Sequence, residues 1–240
     1  MLGRAGGPPL RPVSYRTAQR SAIEPRRVNK VAGVYASSLV LTVENLAAAR
    51  GLRVLFEGLN LTVGAGEILE LRGPNGSGKS TLLRILAGLT RQMLGDVQFA
   101  GGASEVARHY LGHADAIKPN ETAAEQARFW ARFFGQSDDA ASRALDRMGL
   151  ASRADVPGRG LSAGQKRRLA LARLLIDPRP VWLLDEPVAA LDAAGRALAD
   201  ELIAAHVRDG GITVVAMHGD GFAGARTLDI SQVAKPLVPA

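Results

Sequence analysis

Two hydrophobic periods succeed one another along this chain. From about residue 39, short β-rich runs separated by turn glycines predict strands over 39–43, 54–56 and 59–63. A further run over 67–71 joins them in a small antiparallel layer, and residues 96–100, ahead of Gly101 and Gly102, add one more strand to it. The stretch 82–89 is apolar enough for a helix packed on a sheet. A strand ends near 110–113 and a turn falls on 118–120. Thr122 and Glu125 then have the spacing of a capping box, opening a helix that Gly135 stops. Helices follow over 138–148, 161–176 and 193–207. The runs 181–185 and 212–216 are apolar throughout, as strands covered on both faces of a parallel sheet must be. A last strand is expected at 228–230.

The loop between the strand at 67–71 and the helix at 82–89 reads GPNGSGKST, from Gly73 to Thr81. Gly73, Gly78, Lys79 and Ser80 stand at the fixed places of a phosphate-binding P-loop, in the strand–loop–helix context that this motif needs. Glycines allow the N–H groups that follow Pro74, at Asn75, Gly76 and Ser77, to turn inward around a phosphate, and the helix start adds its positive end. Proline itself brings no N–H, so Asn75 onward carries that task. Lys79 is expected to reach the β- and γ-phosphates and the Ser80 hydroxyl to ligate Mg²⁺. The expected ligands are therefore ATP and Mg²⁺.

The apolar strand at 181–185 ends in Asp185 and Glu186, at the carboxyl edge where open α/β sheets place ligand chemistry. Downstream of a P-loop this is the Walker B arrangement, with Asp185 on Mg²⁺ and Glu186 placed to polarise a water for attack on the γ-phosphate. Successive side chains on a strand point apart, which suits two different tasks. His218, just past the strand at 212–216, is a candidate sensor of the γ-phosphate. A lone histidine is more often structural, and the company this one keeps favours the sensor. His109 and His206 show no such context.

Composition narrows the picture. There is no cysteine, so no disulfide framework or thiolate metal site exists, which suits a reducing compartment. No run of about 18 uncharged apolar residues is present to span a bilayer. The net charge of +7 is uneven: residues 1–30 carry seven basic side chains against the single acid Glu24. The rest is nearly neutral, so no nucleic-acid partner is expected. The segment 1–38 reads as a basic, disordered extension and 233–240 as a plain tail. Four of the chain's eleven aromatic residues, Phe129, Trp130, Phe133 and Phe134, fall within six positions. Their spacing fits an interior stripe first, with an interaction surface as the second reading.

With these motifs in order, residues 39–232 resemble the ATP-binding-cassette (ABC) ATPases. Leu161, Ser162, Ala163, Gly164 and Gln165 resemble the LSGGQ signature with Ala163 in place of a glycine, Ala190-Leu191-Asp192 resembles the D-loop, and His218 the H-loop histidine. The resemblance implies an α/β P-loop NTPase core with an antiparallel β layer and a helical subdomain at about 114–160. It also implies a second copy of the chain, whose Ser162 and Gly164 would contact the γ-phosphate held by Lys79. The free N–H groups at the start of the 161–176 helix offer that second anion site. Two positions depart from the pattern. His113 stands where the family has a glutamine that ligates Mg²⁺ and couples to a membrane partner. Arg50 stands near the place of the adenine-stacking aromatic, where a guanidinium can still stack.

Glu44-Asn45-Leu46-Ala47, Tyr110-Leu111-Gly112-His113-Ala114 and Arg128-Phe129-Trp130-Ala131 look like the ATP-binding subunits of haem export in cytochrome c maturation. That resemblance implies a peripheral ATPase on the cytoplasmic face of the bacterial inner membrane, docked on a separate integral membrane transporter subunit. An ABC ATPase for another small molecule, a soluble cassette protein acting on ribosomes or DNA, and a regulatory nucleotide-binding module are the alternatives. Intact Glu186 and His218 argue against the last of these.

Overall fold

Val181–Asp185 and Ile212–Ala216 are buried at every position because their sheet is covered on both sides. In the computed structural model, which describes residues 35–101 and 106–233, they form the centre of a five-stranded parallel sheet. Its order is β5 (Arg108–Leu111), β6 (Val181–Asp185), β7 (Ile212–Ala216), β3 (Ile68–Arg72) and β8 (Arg226–Asp229). Alternation along β6 sends Val181 and Leu183 to one core and Trp182 and Leu184 to the other. The basic run 1–30 and the residues after 233 lie outside the described residues, as do 102–105.

A second sheet is antiparallel, in the order β2 (Arg53–Gly64), β1 (Val40–Arg50) and β4 (Leu94–Ala100). It corrects two expectations. The runs 54–56 and 59–63 are one strand, because Gly58, at φ 70, is absorbed as an irregularity rather than ending it. The register shifts opposite, between Val43 and Leu46 and again before Ala49, are the bulges that accommodate it. Residues 68–72 belong to the parallel sheet, between β7 and β8, and not to the antiparallel layer.

The two sheets meet over α1 (Lys79–Leu86). Leu82, Leu83, Ile85 and Leu86 are buried in one core with Leu41, Phe56 and Val63 of the antiparallel layer and Leu183 and Val214 of the parallel sheet. Each such side chain removed from water contributes about 1.5–3 kcal/mol. The helix is thus fixed from both sides, and the loop before it inherits that rigidity.

The opposite core holds α4 (Ala163–Ile176), α5 (Ala193–Arg208) and the pair α2 (Ala123–Phe133) and α3 (Asp138–Arg147). The capping box expected at α2 is present: Thr122 Oγ1 accepts from Glu125 N at 3.2 Å, while Thr122 N donates to Glu125 Oε2 at 2.7 Å. Gly135 takes φ 69 at its end, which only glycine adopts cheaply. Alanines 124, 127, 131, 141 and 144 keep α2 and α3 close and bury with Leu145 and Met148. The aromatic group on α2 divides in two. Trp130 and Phe134 pack on the core, whereas Phe129 and Phe133 are 45% and 58% exposed.

Candidate functional site

The P-loop runs from the end of β3 into α1. Gly73, Gly76 and Gly78 take φ 128, 78 and 107, values that side chains oppose, so the loop's tight curve rests on their missing Cβ atoms. At Gly78 a Cβ would also come within 3.0 Å of the Phe56 ring. Lys79 is buried at the first position of α1, and its ammonium donates to the carbonyls of Gly73, at 2.7 Å, and Pro74, at 3.1 Å. The amine therefore bridges the mouth of its own loop. Burial lowers its pKa, while the carboxylates of Glu186, Asp185 and Asp229 act in the opposite sense and favour the charged form. Pro74, Asn75 and Gly76 are exposed on the rim, and Ser80 and Thr81 are half-buried behind them.

Asp185 closes β6 and is buried, and its carboxylate makes no hydrogen bond or ion pair among the described residues. A carboxylate at this depth is favoured by a nearby cation, and the Lys79 ammonium acts on it electrostatically. Ser77 Oγ is a buried polar atom without a hydrogen-bond partner, inside the P-loop itself. Both fit a bound phosphate and its metal. No group of three or more His, Cys, Asp or Glu side chains that could hold a metal is present among the described residues. Mg²⁺ needs no such cluster, being held by one or two protein ligands together with phosphate oxygens and water. Asp185 and Ser80 are the residues that would serve.

Glu186 follows at φ 52, in the left-handed region that costs a non-glycine residue about 1–3 kcal/mol. The turn swings its carboxylate out of the strand, where two histidines flank it. His113 Nδ1 lies 3.5 Å from Oε2 and His218 Nε2 lies 3.5 Å from Oε1. His113 comes from the loop after β5 and His218 from the loop after β7, so three neighbouring parallel strands deliver the cluster. Parallel strands end on one side of the sheet, which is why residues 73 apart meet here.

The His218 loop has supports that the sequence did not reveal. Glu70, buried in β3, pairs with Arg72 at 2.6 Å and accepts from Phe222 N. Arg72 in turn donates to the carbonyl of Gly219. Asp229 and Ser231 stand beside Gly73 on the other flank, with the Asp229 carboxyl held below its usual range by the Ser231 hydroxyl and N–H.

The signature residues form the start of α4. Leu161 is buried, and Ser162 caps the helix in a second capping box: Ser162 Oγ accepts from Gln165 N at 3.2 Å and Gln165 Oε1 accepts from Ser162 N at 2.9 Å. Ser162 and Ala163 are exposed. The N–H groups of Ala163 and Gly164 find no acceptor among the described residues, leaving the positive end of a 14-residue helix open to an anion. A Cβ on Gly164 would lie 2.9 Å from the carbonyl of Ala190, so glycine is what lets this helix start touch the D-loop. Asp192 caps α5, accepting from Gly195 N at 2.8 Å. Arg50 is exposed at the β1–β2 turn, cross-strand from Arg53.

The structure thus brings Lys79, Asp185, Glu186, His113 and His218 together at one sheet edge, with Arg50 on the β1–β2 turn. Comparisons with known proteins supply the family. Residues 56–189 match the ABC transporter family. The cytochrome c biogenesis ATP-binding export protein CcmA of Hyphomonas neptunium is 50% identical over 179 residues, 75% of this chain and 90% of that protein. The protein of the same description from Paramagnetospirillum magneticum is 47% identical over 210 residues, 82% of this chain and 97% of that one. A putative ABC transporter ATP-binding protein from Pyrococcus furiosus shares the fold, with a TM-score of 0.72, at 19% identity over 82% of this chain and all of that chain. The chain belongs to the ABC transporter family, within its group of cytochrome c biogenesis ATP-binding export proteins.

Proposed function

We propose that this ATPase subunit hydrolyses Mg²⁺–ATP with Glu186 as the base, and that turnover drives the haem export step of cytochrome c biogenesis. The observation that carries the reading is the carboxylate of Glu186, set between His113 and His218 and sharing an electrostatic environment with Lys79. In this reading the P-loop N–H groups and Lys79 hold the β- and γ-phosphates. Mg²⁺, on Ser80 and Asp185, neutralises charge that builds up on the phosphate oxygens. Glu186 accepts the proton of the attacking water, and His218 fixes the γ-phosphate and that water. A second copy supplies the open N–H groups of Ala163 and Gly164, with Ser162, to the same phosphate.

The partner in the membrane is a separate subunit. No helix of the described residues is long and apolar enough to cross a membrane. Phe129 and Phe133 offer an exposed aromatic pair for contact, their rings 6.3 Å apart and the Lys118 ammonium 4.7 Å from the first. The working place is the cytoplasmic face of the bacterial inner membrane, where ATP turnover releases a haem-loaded chaperone.

Glu186→Gln tests the chemistry. It should leave ATP binding intact and slow turnover about 10²-fold or more, the scale of a lost general base. Near-normal turnover would sink the assignment. Pull-down from solubilised membranes tests the context: a haem-handling membrane subunit supports it, and an unrelated permease keeps the ATPase and discards haem.

A further inference from the structure

Arg167 lies one turn into α4, with its side chain only 2% exposed. A guanidinium has five N–H donors, and here each one has its own acceptor. Nε donates to the Pro187 carbonyl at 3.1 Å. Nη2 donates to the carbonyls of Asp185 and Glu186, both at 2.6 Å. Nη1 donates to the Gly112 carbonyl at 3.1 Å and to Asp115 Oδ1 at 2.7 Å.

Those five acceptors belong to two segments. Three are consecutive carbonyls around Glu186, whose own N–H is held by Ala216 O at 2.9 Å. Three carbonyls converge on one point only when the chain turns sharply, as it does where Glu186 takes φ 52. The other two acceptors flank His113. One buried cation therefore fixes both backbones whose side chains meet at the 3.5 Å contact between His113 and Glu186. Full satisfaction also explains how a charge is tolerated at this depth, since a buried charge lacking partners is strongly destabilising.

We propose that Arg167 is a positioning residue for ATP hydrolysis: it holds Glu186 in its left-handed turn and ties that turn, through Asp115, to the loop carrying His113. It touches neither nucleotide nor water. Its effect is on where the Glu186 carboxylate points, and so it acts on the chemical step rather than on ATP binding. Asp115 is the one side-chain acceptor of the five. The inference rests on the reading of Glu186 as the base.

The test compares kcat and KM for ATP in the full-length protein and in Arg167→Lys, Asp115→Ala, Asp115→Asn and Glu186→Gln. Lysine keeps the charge but cannot reach both segments. Arg167→Lys should lower kcat about tenfold or more with KM within about twofold, since a misplacement near 1 Å costs up to about 10²-fold. Asp115→Ala should lower kcat about fivefold with KM again unmoved, and Asp115→Asn, which retains an acceptor oxygen, should recover most of that loss. If Arg167→Lys does not fold, the Asp115 pair decides alone. A kcat within twofold of wild type in Arg167→Lys or in Asp115→Ala overturns the proposal, as does a fall in kcat matched by a rise in KM. Glu186→Gln separates the two readings. If it is slow while the Arg167 and Asp115 variants are normal, only the positioning role fails; if it is itself near normal, the base assignment fails and takes this proposal with it.

Discussion

His113 Nδ1 stands 3.5 Å from Glu186 Oε2, on the side of the carboxylate opposite His218. The gap exceeds the usual N–H···O range, so the pair is poised without being locked. The His113 side chain is 72% exposed, and an exposed ion pair is worth about 0.2–1 kcal/mol. His113→Ala should therefore change kcat by no more than about fivefold, because 1 kcal/mol in a barrier is worth about that much. His218 is the proposed donor to the γ-phosphate, and losing one such donor costs about 10²–10³-fold. His218→Ala should fall into that range. Steady-state ATPase assays on both variants decide the matter: equal losses would show that the histidines act as one unit.

Phe129 and Phe133 expose large apolar area; among the described residues their rings meet each other, Trp130 and Phe134, with the Lys118 ammonium over Phe129. Surface substitutions away from special features change stability by about 0.5 kcal/mol or less. Phe129→Ser with Phe133→Ser should leave the melting temperature and the ATPase rate of the isolated subunit nearly unchanged while abolishing co-purification with the membrane subunit. Retained co-purification would move the contact surface elsewhere.

Two histidines that look plain in sequence are buried under the other end of the sheet. His206 stacks on Trp182 with ring centroids 3.7 Å apart and 5° between planes, and meets Tyr35 edge-on. His109 Nε2 lies 2.6 Å from the Asp177 carbonyl, between Phe134 and the charges of Arg179 and Arg173. Burial is the main cause that pushes the pKa of His109 down to about 4 and that of His206 to about 3. Both stay neutral in the native protein while the unfolded chain takes up protons below about pH 6.5. Stability should then be full above pH 6.5 and fall as pH drops toward 4 for His109 and toward 3 for His206, by an amount on the order of a few kcal/mol in total. Melting temperatures from pH 7.5 to 4.5 check this. His206→Phe, which keeps a flat ring against Trp182, should flatten the acid limb relative to wild type; an unchanged limb would assign it to carboxylates.

What could be read in advance divides by how local its cause is. The P-loop was legible because its glycines answer to the loop's own curvature and its lysine to the phosphate. The strand Val181–Asp185 was legible because a both-faces-buried strand must be apolar at each position. Thr122 and Glu125 cap a helix from positions three residues apart, and that too is local. Glu70 carried no signal in the sequence because its partner, Phe222 N, lies 152 residues on. Arg167 is likewise silent in the sequence, since its acceptors lie 18 to 55 residues away. Gly58 suggested a turn between strands where the partner strand instead absorbs it by shifting register. On α2, the interior reading of the aromatic group holds for Trp130 and Phe134, which pack on the core, and fails for the exposed Phe129 and Phe133.

Gly221 offers the sharpest test of how the His218 loop is held. A Cβ there would lie 2.4 Å and 2.7 Å from the two carboxylate oxygens of Glu70 and 2.8 Å from Arg72 Nη2. Glu70 is buried and fastened to Phe222 N and Arg72, so it has no free direction in which to yield. The loop must move instead, and His218 moves with it. Gly219, two residues earlier, is the natural control: it has φ +79 but nothing within 4 Å of a would-be Cβ. Gly219→Ala pays only backbone strain, about 1–2 kcal/mol, and should lower the melting temperature with kcat kept within about threefold. Gly221→Ala should cost kcat about tenfold or more at unchanged ATP affinity, since the P-loop is untouched and a shift near 1 Å at a catalytic group costs up to about 10²-fold. Equal kcat values for the two alanine variants, measured well below both melting temperatures, would mean that the buried Glu70–Arg72 pair supports the sheet alone and leaves His218 to find its own place.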